Sequence, residues 1–291
     1  MNATIGNQTA PSVASRNRLR GLLGGPRELL ITGGVTALLI FAALLAPVIS
    51  PYDPTKQLYG QELLTPTLQH PFGTDEYGRD LLSRTLYGMR LSVLIGLLAA
   101  LVGGVVGLVV GLVAGYYEGW LDDVLGRLLD TLLAFPALIV GLTVAVILGP
   151  SAFNAAVAAA IINIPIVARI TRAGIIGEKE REYSQAALAL GAASGRILLK
   201  HLLPNIMPAV LVQLTLTVAH SMILEAGLSF LGLGAQPPEP SLGVMLKNAR
   251  AYMRENPWLA IVPGASLSLL LLALSFFADA LRDATDPRKR G

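Results

Sequence analysis

The chain has 291 residues, of which 53% are hydrophobic and only 14% charged, with a mean hydropathy of +0.61. A soluble domain carries about 25% charged residues, so this composition indicates a chain that crosses a membrane several times. The absence of cysteine excludes disulfides, thiolate metal sites and cysteine nucleophiles. A net charge of +3 is too small to indicate a nucleic-acid partner.

Residues 1–28 read as a polar tail, with Arg16, Arg18, Arg20 and Arg27 and no acid before Glu28. Residues 29–50 then run for 22 positions without a charge. A signal peptide's apolar core is only about 7–15 residues, so a retained first span is expected. Residues 51–90 form a polar loop containing His70-Pro-Phe-Gly-Thr-Asp-Glu-Tyr-Gly-Arg-Asp80. From Glu76 the pattern is helical, with Asp80 and Arg84 spaced to pair at i,i+4, and predicts an interfacial helix leading into the second span.

Residues 91–117 are uncharged, and Gly103, Gly107, Gly111 and Gly115 recur at every fourth position, on one helix face. Bare glycine lets another backbone approach closely, which is how helices associate where hydrophobicity gives no drive. Packing within the subunit is the favoured reading, and lining a subunit interface the alternative. Residues 118–130 read as a charged connector. The uncharged run 131–168 is too long for one span of about 20 residues. Gly149-Pro150 divides it into helices near 128–148 and 152–170, with Pro136 and Pro165 as expected kinks. Asn154 and Asn163 lie in the second of these, either bonding helix to helix or lining a substrate path. The fifth and sixth spans fall at 205–224 and 256–278, with a Gly/Pro-rich connector at 225–255 between them and a tail at 279–291.

Six spans put both termini on one side. Fifteen of the 22 Lys and Arg lie in the termini, residues 118–130 and residues 169–204, and seven in the two opposite loops. Positive charge marks the cytoplasmic side, which places both termini and the long loop there.

No phosphate-binding G-x-x-x-x-G-K-[ST] loop, H-E-x-x-H helix or G-x-S-x-G elbow occurs, so no catalytic, cofactor-binding or metal-ligating residue is assigned. His70, His201 and His220 lie in different segments. His220 and Glu225 stand roughly 140° apart around a helix, a satisfied polar pair near the interface rather than a ligand set. Ion-coupled transport calls for ionisable groups deep in the spans, whereas Asp130 and Asp279 sit near cytoplasmic ends. That weakens ion-driven transport and suggests that energy enters from elsewhere.

The long polar loop, 178–204, is predicted to hold two short helices. Residues 178–190 favour the first, Ala186 and Ala187 permit close contact, and Gly191 can take positive φ and end it. Ser194 is expected to N-cap the second, 195–203, which Pro204 stops. Two short helices held between spans make a knob for partner contact; an amphipathic loop on the membrane surface is the ordinary alternative.

The pattern Ala186-Ala187-x3-Gly191-x11-Leu203-Pro204 resembles the EAA loop of ABC importer permeases. Arg181-Glu-Tyr-Ser-Gln-Ala-Ala-Leu-Ala-Leu-Gly191 and Lys200-His-Leu-Leu-Pro-Asn205 are similar to the dipeptide/oligopeptide branch. Its second permease is resembled by His70-Pro-Phe-Gly-Thr-Asp with Gly78-Arg-Asp80 and by Leu228-Ser-Phe-Leu-Gly-Leu-Gly234 with Gln236-Pro-Pro238. Leu281-Arg-Asp283 with Asp286-Pro-Arg288 is similar to it too.

The resemblance implies an all-α, polytopic fold with six transmembrane helices, the type I ABC importer permease fold, over a core at 91–281. It implies that 178–204 docks on an ATP-hydrolysing subunit through Glu182, Tyr183, Gln185, Ala186, Ala187, Gly191, Ala192, Ser194, Arg196 and Pro204. The implied partners are a second, homologous permease, two ATPase subunits carrying ATP and Mg, and a periplasmic or lipid-anchored binding protein. All would assemble in a bacterial or archaeal cytoplasmic membrane. The chain itself is then a non-catalytic permease subunit, forming half of a translocation pathway for di- or oligopeptides. Nickel chelates, glutathione and oligosaccharides are alternative substrates in that branch; an ion-coupled secondary transporter and a membrane scaffold are the readings from other classes. Three positions depart from the pattern. Gln185 stands where the motif has Glu, Leu188 where the branch often has Arg, and Leu242 where it often has Trp. Arg181 and Glu182 supply charge beside the first two.

Overall fold

The computed structural model describes residues 26–285; the arginines at 16, 18 and 20 and the Asp286-Pro-Arg288 motif lie outside the described residues. The elements are α1 (Pro26–Leu44), α2 (Ala46–Ile49), α3 (Leu81–Tyr116), α4 (Trp120–Leu133), α5 (Ala137–Leu148) and α6 (Ala152–Lys179). Then follow α7 (Glu182–Ala189), α8 (Ser194–Ile197), a π-helical turn (Leu198–Leu202), α9 (Leu203–Phe230), α10 (Leu242–Tyr252) and α11 (Trp258–Thr285). Among the described residues five helices are long and apolar enough to cross a membrane, and the bent pair α4–α5 makes the sixth if it forms one span.

The glycine stripe explains the closest packing. A Cβ on Gly103 would lie 2.5 Å from the Ala160 carbonyl oxygen, one on Gly107 2.7 Å from that of Ile164, and one on Gly111 2.5 Å from that of Ala168. On Gly115 it would stand 2.9 Å from the Arg172 carbonyl. Steps of four on α3 thus meet steps of four on α6, and the stripe lies against a backbone of its own chain. That face is occupied, so it cannot serve as a subunit interface.

Several boundaries differ from the sequence expectation. No separate interfacial helix precedes the second span: α3 starts at Leu81 and runs 36 residues. Asp80 is its N-cap, accepting from the Ser83 amide at 2.8 Å, because a carboxylate there meets amides that have no partner within the helix. It therefore does not pair with Arg84, which turns to the Asp75 carboxylate at 3.2 Å and donates to the Pro54 carbonyl at 2.8 Å. The rest of the 70–80 motif is spent on folding the same loop. His70 contacts Asp80 at 2.8 Å and Gln61 at 3.1 Å, and Arg79 pairs with Asp75 at 2.7 Å.

Residues 118–130 are not a connector but most of a helix. α4 sets Asp122 and Asp130 against Arg172 and Arg169 of α6, at 2.5 and 2.6 Å, and leaves Trp120, Val124 and Leu128 exposed along one face. Pro136 makes a break rather than a kink. It is the extended N-cap of α5, and α4 and α5 meet at 88°. Proline drives its predecessor out of the helical region, and Phe135 lies in the break. Pro165, by contrast, sits inside the continuous α6.

Residues 225–255 are not all connector either. α9 continues to Phe230, and α10 comes after it, N-capped by Ser241 and buried through Leu242, Val244, Met245 and Ala249. Leu242, at the position of the family's Trp, is fully buried; its side chain would stand 3.0 Å from a Cβ on Gly88. The outer loop is pinned beside it, with Asn248 donating to Glu76 at 2.7 Å and Asn256 to the Leu63 and Leu64 carbonyls at 3.2 and 3.1 Å. At the periphery α1 lies on α11, where Thr36 donates to the Ala273 carbonyl at 2.9 Å.

Candidate functional site

The loop between α6 and α9 is an exposed knob with a buried root. Its entry is fixed where Lys179 donates to the Tyr116 carbonyl and to Glu118, each at 3.0 Å. Arg181 then takes the N-cap position of α7, and Glu182 lies in the first turn, where the helix dipole favours an acid. At the far end Gly191 adopts φ +77°. Its amide donates to the Leu188 carbonyl at 3.0 Å, and the Ala192 amide to Ala187 at 3.1 Å. This pair of bonds is the Schellman arrangement that closes a helix on a left-handed residue.

Between these ends Ala186 is exposed and Ala187 half-buried, with Leu188 and Leu190 exposed beside them. Gln185 donates to the Glu180 carbonyl at 3.1 Å. A glutamate could not make that bond when ionised, since a carboxylate only accepts. The departure from the motif therefore has a local use. Tyr183 donates to Glu178 at 2.6 Å and accepts from Asn205 of α9 at 2.9 Å, and Arg181 closes on Glu178 at 2.9 Å. Partial burial, reinforced by the Glu178 carboxylate, pushes the Tyr183 phenol above the ordinary tyrosine range.

The second half differs from expectation at two residues. Ser194 does not cap; it is the first residue of α8, and extended Ala193 takes the N-cap position, its carbonyl accepting from Arg196 and Ile197. Pro204 stops nothing, because a continuous helical path runs from Ser194 to Phe230. Proline has no N–H and crowds the carbonyl four residues before it. The π-helical turn Leu198–Leu202 immediately precedes it, with Leu203 donating to Leu198 five residues back, and this widening accommodates the ring. Ile197 and Leu202 are buried with Leu112 of α3, Ile175 of α6 and Ile206 and Val210 of α9. Arg196 remains exposed. The root of the knob is thereby packed against three of the long helices at once.

Elsewhere the remaining sequence candidates separate. Asn154 donates to the Leu148 and Gly149 carbonyls at 3.0 and 2.8 Å, closing the α5–α6 turn. Asn163 is buried and donates to Ser221 of α9 at 2.8 Å. Glu225 is not paired with His220. Fully buried, it accepts from Ser92 of α3, Ser229 and Ser241 at 2.8, 2.8 and 2.9 Å. Ser229 also accepts from the Ala235 amide, so this carboxylate ties the 228–241 turn to α3 and α9. No hydropathy signal marks it, because its partners are scattered in sequence. Among the described residues no three His, Cys, Asp or Glu gather as a metal site.

The described residues thus form a polytopic helical bundle with an exposed knob rooted in three of its long helices. Residues 107–291 match the family described as binding-protein-dependent transport system inner membrane component, and the chain belongs to that family. It is 40% identical over 276 residues to the di/tripeptide transport system permease protein DppC of Pseudomonas aeruginosa, covering 92% of this chain and 88% of that protein. It is 41% identical to the dipeptide permease DppC of Haemophilus influenzae, covering 88% and 89% of the two chains. Identity is also 41% to the glutathione transport system permease protein GsiD of Salmonella typhimurium, covering 90% and 87%. A chain from the inward-facing MetNI methionine ABC transporter superposes with a TM-score of 0.61, covering 71% of this chain and 98% of that one at 19% identity. The ABC importer permease fold anticipated from the loop is thus the observed one.

Proposed function

We propose that this chain is one of two permease subunits of an ATP-driven importer, forming half of the path by which di- or oligopeptides cross the cytoplasmic membrane. A binding protein outside the membrane delivers the peptide. Two ATPase subunits, carrying ATP and Mg, dock on the 178–204 knob and its counterpart on the sister permease. The observation that carries this reading is the knob's construction: an exposed α7 carrying Ala186 and Ala187, ended by Gly191, with the loop rooted through Ile197 and Leu202 among α3, α6 and α9. With no phosphate-binding loop in the sequence, energy has to enter through such a contact. The Lys and Arg distribution supports cytoplasmic termini. The dipeptide permeases among the relatives support the substrate class.

The glutathione permease, equally similar, favours a second reading in which the cargo is that tripeptide. Because the chain is free of cysteine, Ala186→Cys places a single thiol on the knob. A short bifunctional thiol reagent should join it to the ATPase subunit in the assembled importer, and hydrolysable ATP should change the yield. No cross-link from Ala186→Cys or from Ala192→Cys would remove the docking assignment. Competition between dipeptide and glutathione for uptake then separates the two cargoes.

A further inference from the structure

We infer that the cavity between α5, α6 and α9 is a wall of the solute path and that His220 is its polar contact, an inference that rests on the importer reading above. The sequence 203–224 contains no ionisable side chain other than His220. The residue lies sixteen positions beyond Pro204, about 24 Å along the helix at 1.5 Å per residue, and ten short of Phe230, so it sits within the membrane. Its ring is exposed, and among the described residues it takes no hydrogen-bond or ion-pair partner. Glu225, five residues further along the same helix, is engaged instead by three serines. An ionisable ring inside a membrane is costly against hydrocarbon and is found facing a bundle interior or a water-filled cavity.

Such a cavity is present. It is an open cleft of about 370 Å³, apolar except at Asn163, His220 and Ser221. Asn163 donates to Ser221, and Ser221 in turn donates to the Thr217 carbonyl at 2.8 Å. Their bonds hold α6 to α9 and fix the wall. Asn163 and Ser221 are both buried, and of the three polar lining residues His220 is the exposed one. Ala137 and Leu138, the first residues of α5 after the 88° break at Pro136, line it. A neutral imidazole offers both a donor and an acceptor and can serve an amide N–H or a carbonyl of a peptide. One such group on an apolar wall holds a peptide weakly, and a conducting path requires cargo that leaves as readily as it enters.

The test uses the complete importer in membrane vesicles, with single thiols introduced by His220→Cys, by Ala137→Cys on the facing rim, by Leu68→Cys in the outer loop and by Leu38→Cys on α1. A charged, membrane-impermeant thiol reagent is applied, and labelling is read on this chain by mass. We expect His220→Cys and Ala137→Cys to be labelled like Leu68→Cys, their labelling to block ATP-driven uptake, and excess dipeptide to slow it. Leu38→Cys, on a peripheral lipid-facing helix, should remain unlabelled. His220→Leu should lower uptake about fivefold, the equivalent of one hydrogen bond. If neither His220→Cys nor Ala137→Cys is labelled while Leu68→Cys is, the wall faces lipid or another subunit and the inference fails. If His220→Cys does not assemble, Ala137→Cys decides alone. ATP-dependent uptake by the unmutated importer is measured in the same vesicles; its absence refutes the importer reading, a result distinct from lack of labelling.

Discussion

Gly191 allows the backbone requirement of the knob to be tested free of side-chain collisions. It sits at φ +77°, and a Cβ built there meets nothing within 4 Å. A substitution therefore carries only the cost of the left-handed torsion. That cost is about 1–2 kcal/mol for an ordinary L residue, less for Asn, which visits this region readily, and more for a β-branched side chain. A change of about 2 kcal/mol alters the ratio of closed to unwound α7 ends about thirtyfold. The expected order of peptide imported per ATP hydrolysed, in the reconstituted importer, is Gly191 above Asn, then Ala, then Val. The subunit's own fold should be unchanged, because no neighbour within the chain is disturbed. Gly60 of the outer loop is the matched control, with φ +79° and nothing within 4 Å of its Cβ position. Gly60→Val carries a similar torsional cost far from the knob and should leave the uptake-to-ATP ratio intact. Wild-type coupling in Gly191→Val, or the same loss in Gly60→Val, would refute the reasoning.

Three further outcomes are expected. Gly111→Ala places a Cβ 2.5 Å from the Ala168 carbonyl oxygen and 2.6 Å from the Thr171 Cβ, and should destabilise the subunit by about 1–3 kcal/mol, read as a lower melting temperature in detergent. Gly126→Ala, within α4 and with nothing within 4 Å, should instead be neutral or stabilising by about 0.5–1 kcal/mol through helix propensity. Glu225→Leu strands three buried serine hydroxyls at about 1–3 kcal/mol each and should abolish assembly measured by co-purification. Glu225→Gln, which still accepts through its amide oxygen, should assemble. Tyr183→Phe removes the bridge from Glu178 to Asn205 and should lower uptake per ATP while leaving the melting temperature within a few degrees of wild type.

Features that depend on local period or a single torsion are legible in the sequence. The stripe Gly103–Gly107–Gly111–Gly115 announces close backbone packing because four-residue spacing keeps it on one face, and Gly191 announces a helix end because few other residues accept its φ. Features that depend on groups distant in sequence are not. Hydropathy treats a carboxylate as a boundary and so ends a span before Glu225, whereas Ser92, Ser229 and Ser241 converge on it and let it stay inside. The Gly/Pro-rich stretch before α10 hides that helix, although Ser241 is an ordinary N-cap signal. The charges of α4 suggest a connector, yet Trp120, Val124 and Leu128 at four-residue spacing mark an amphipathic helix. Pro204 misleads for another reason. A proline ends a regular helix, but a π turn ahead of it lets the path continue, and no composition rule predicts that widening. In the knob, Ala186, Ala187 and Gly191 are legible through the family pattern, while the use of Gln185 as a donor to Glu180 is visible only in three dimensions.

The central claim is that this chain moves its cargo with energy delivered by ATP hydrolysis on a partner. It is tested most directly by uptake of a labelled dipeptide into proteoliposomes holding this chain, its sister permease, the ATPase subunits and the binding protein. Uptake should occur with hydrolysable ATP and stop with a non-hydrolysable analogue or without the binding protein. Uptake driven by a proton or sodium gradient in the absence of nucleotide would contradict the account.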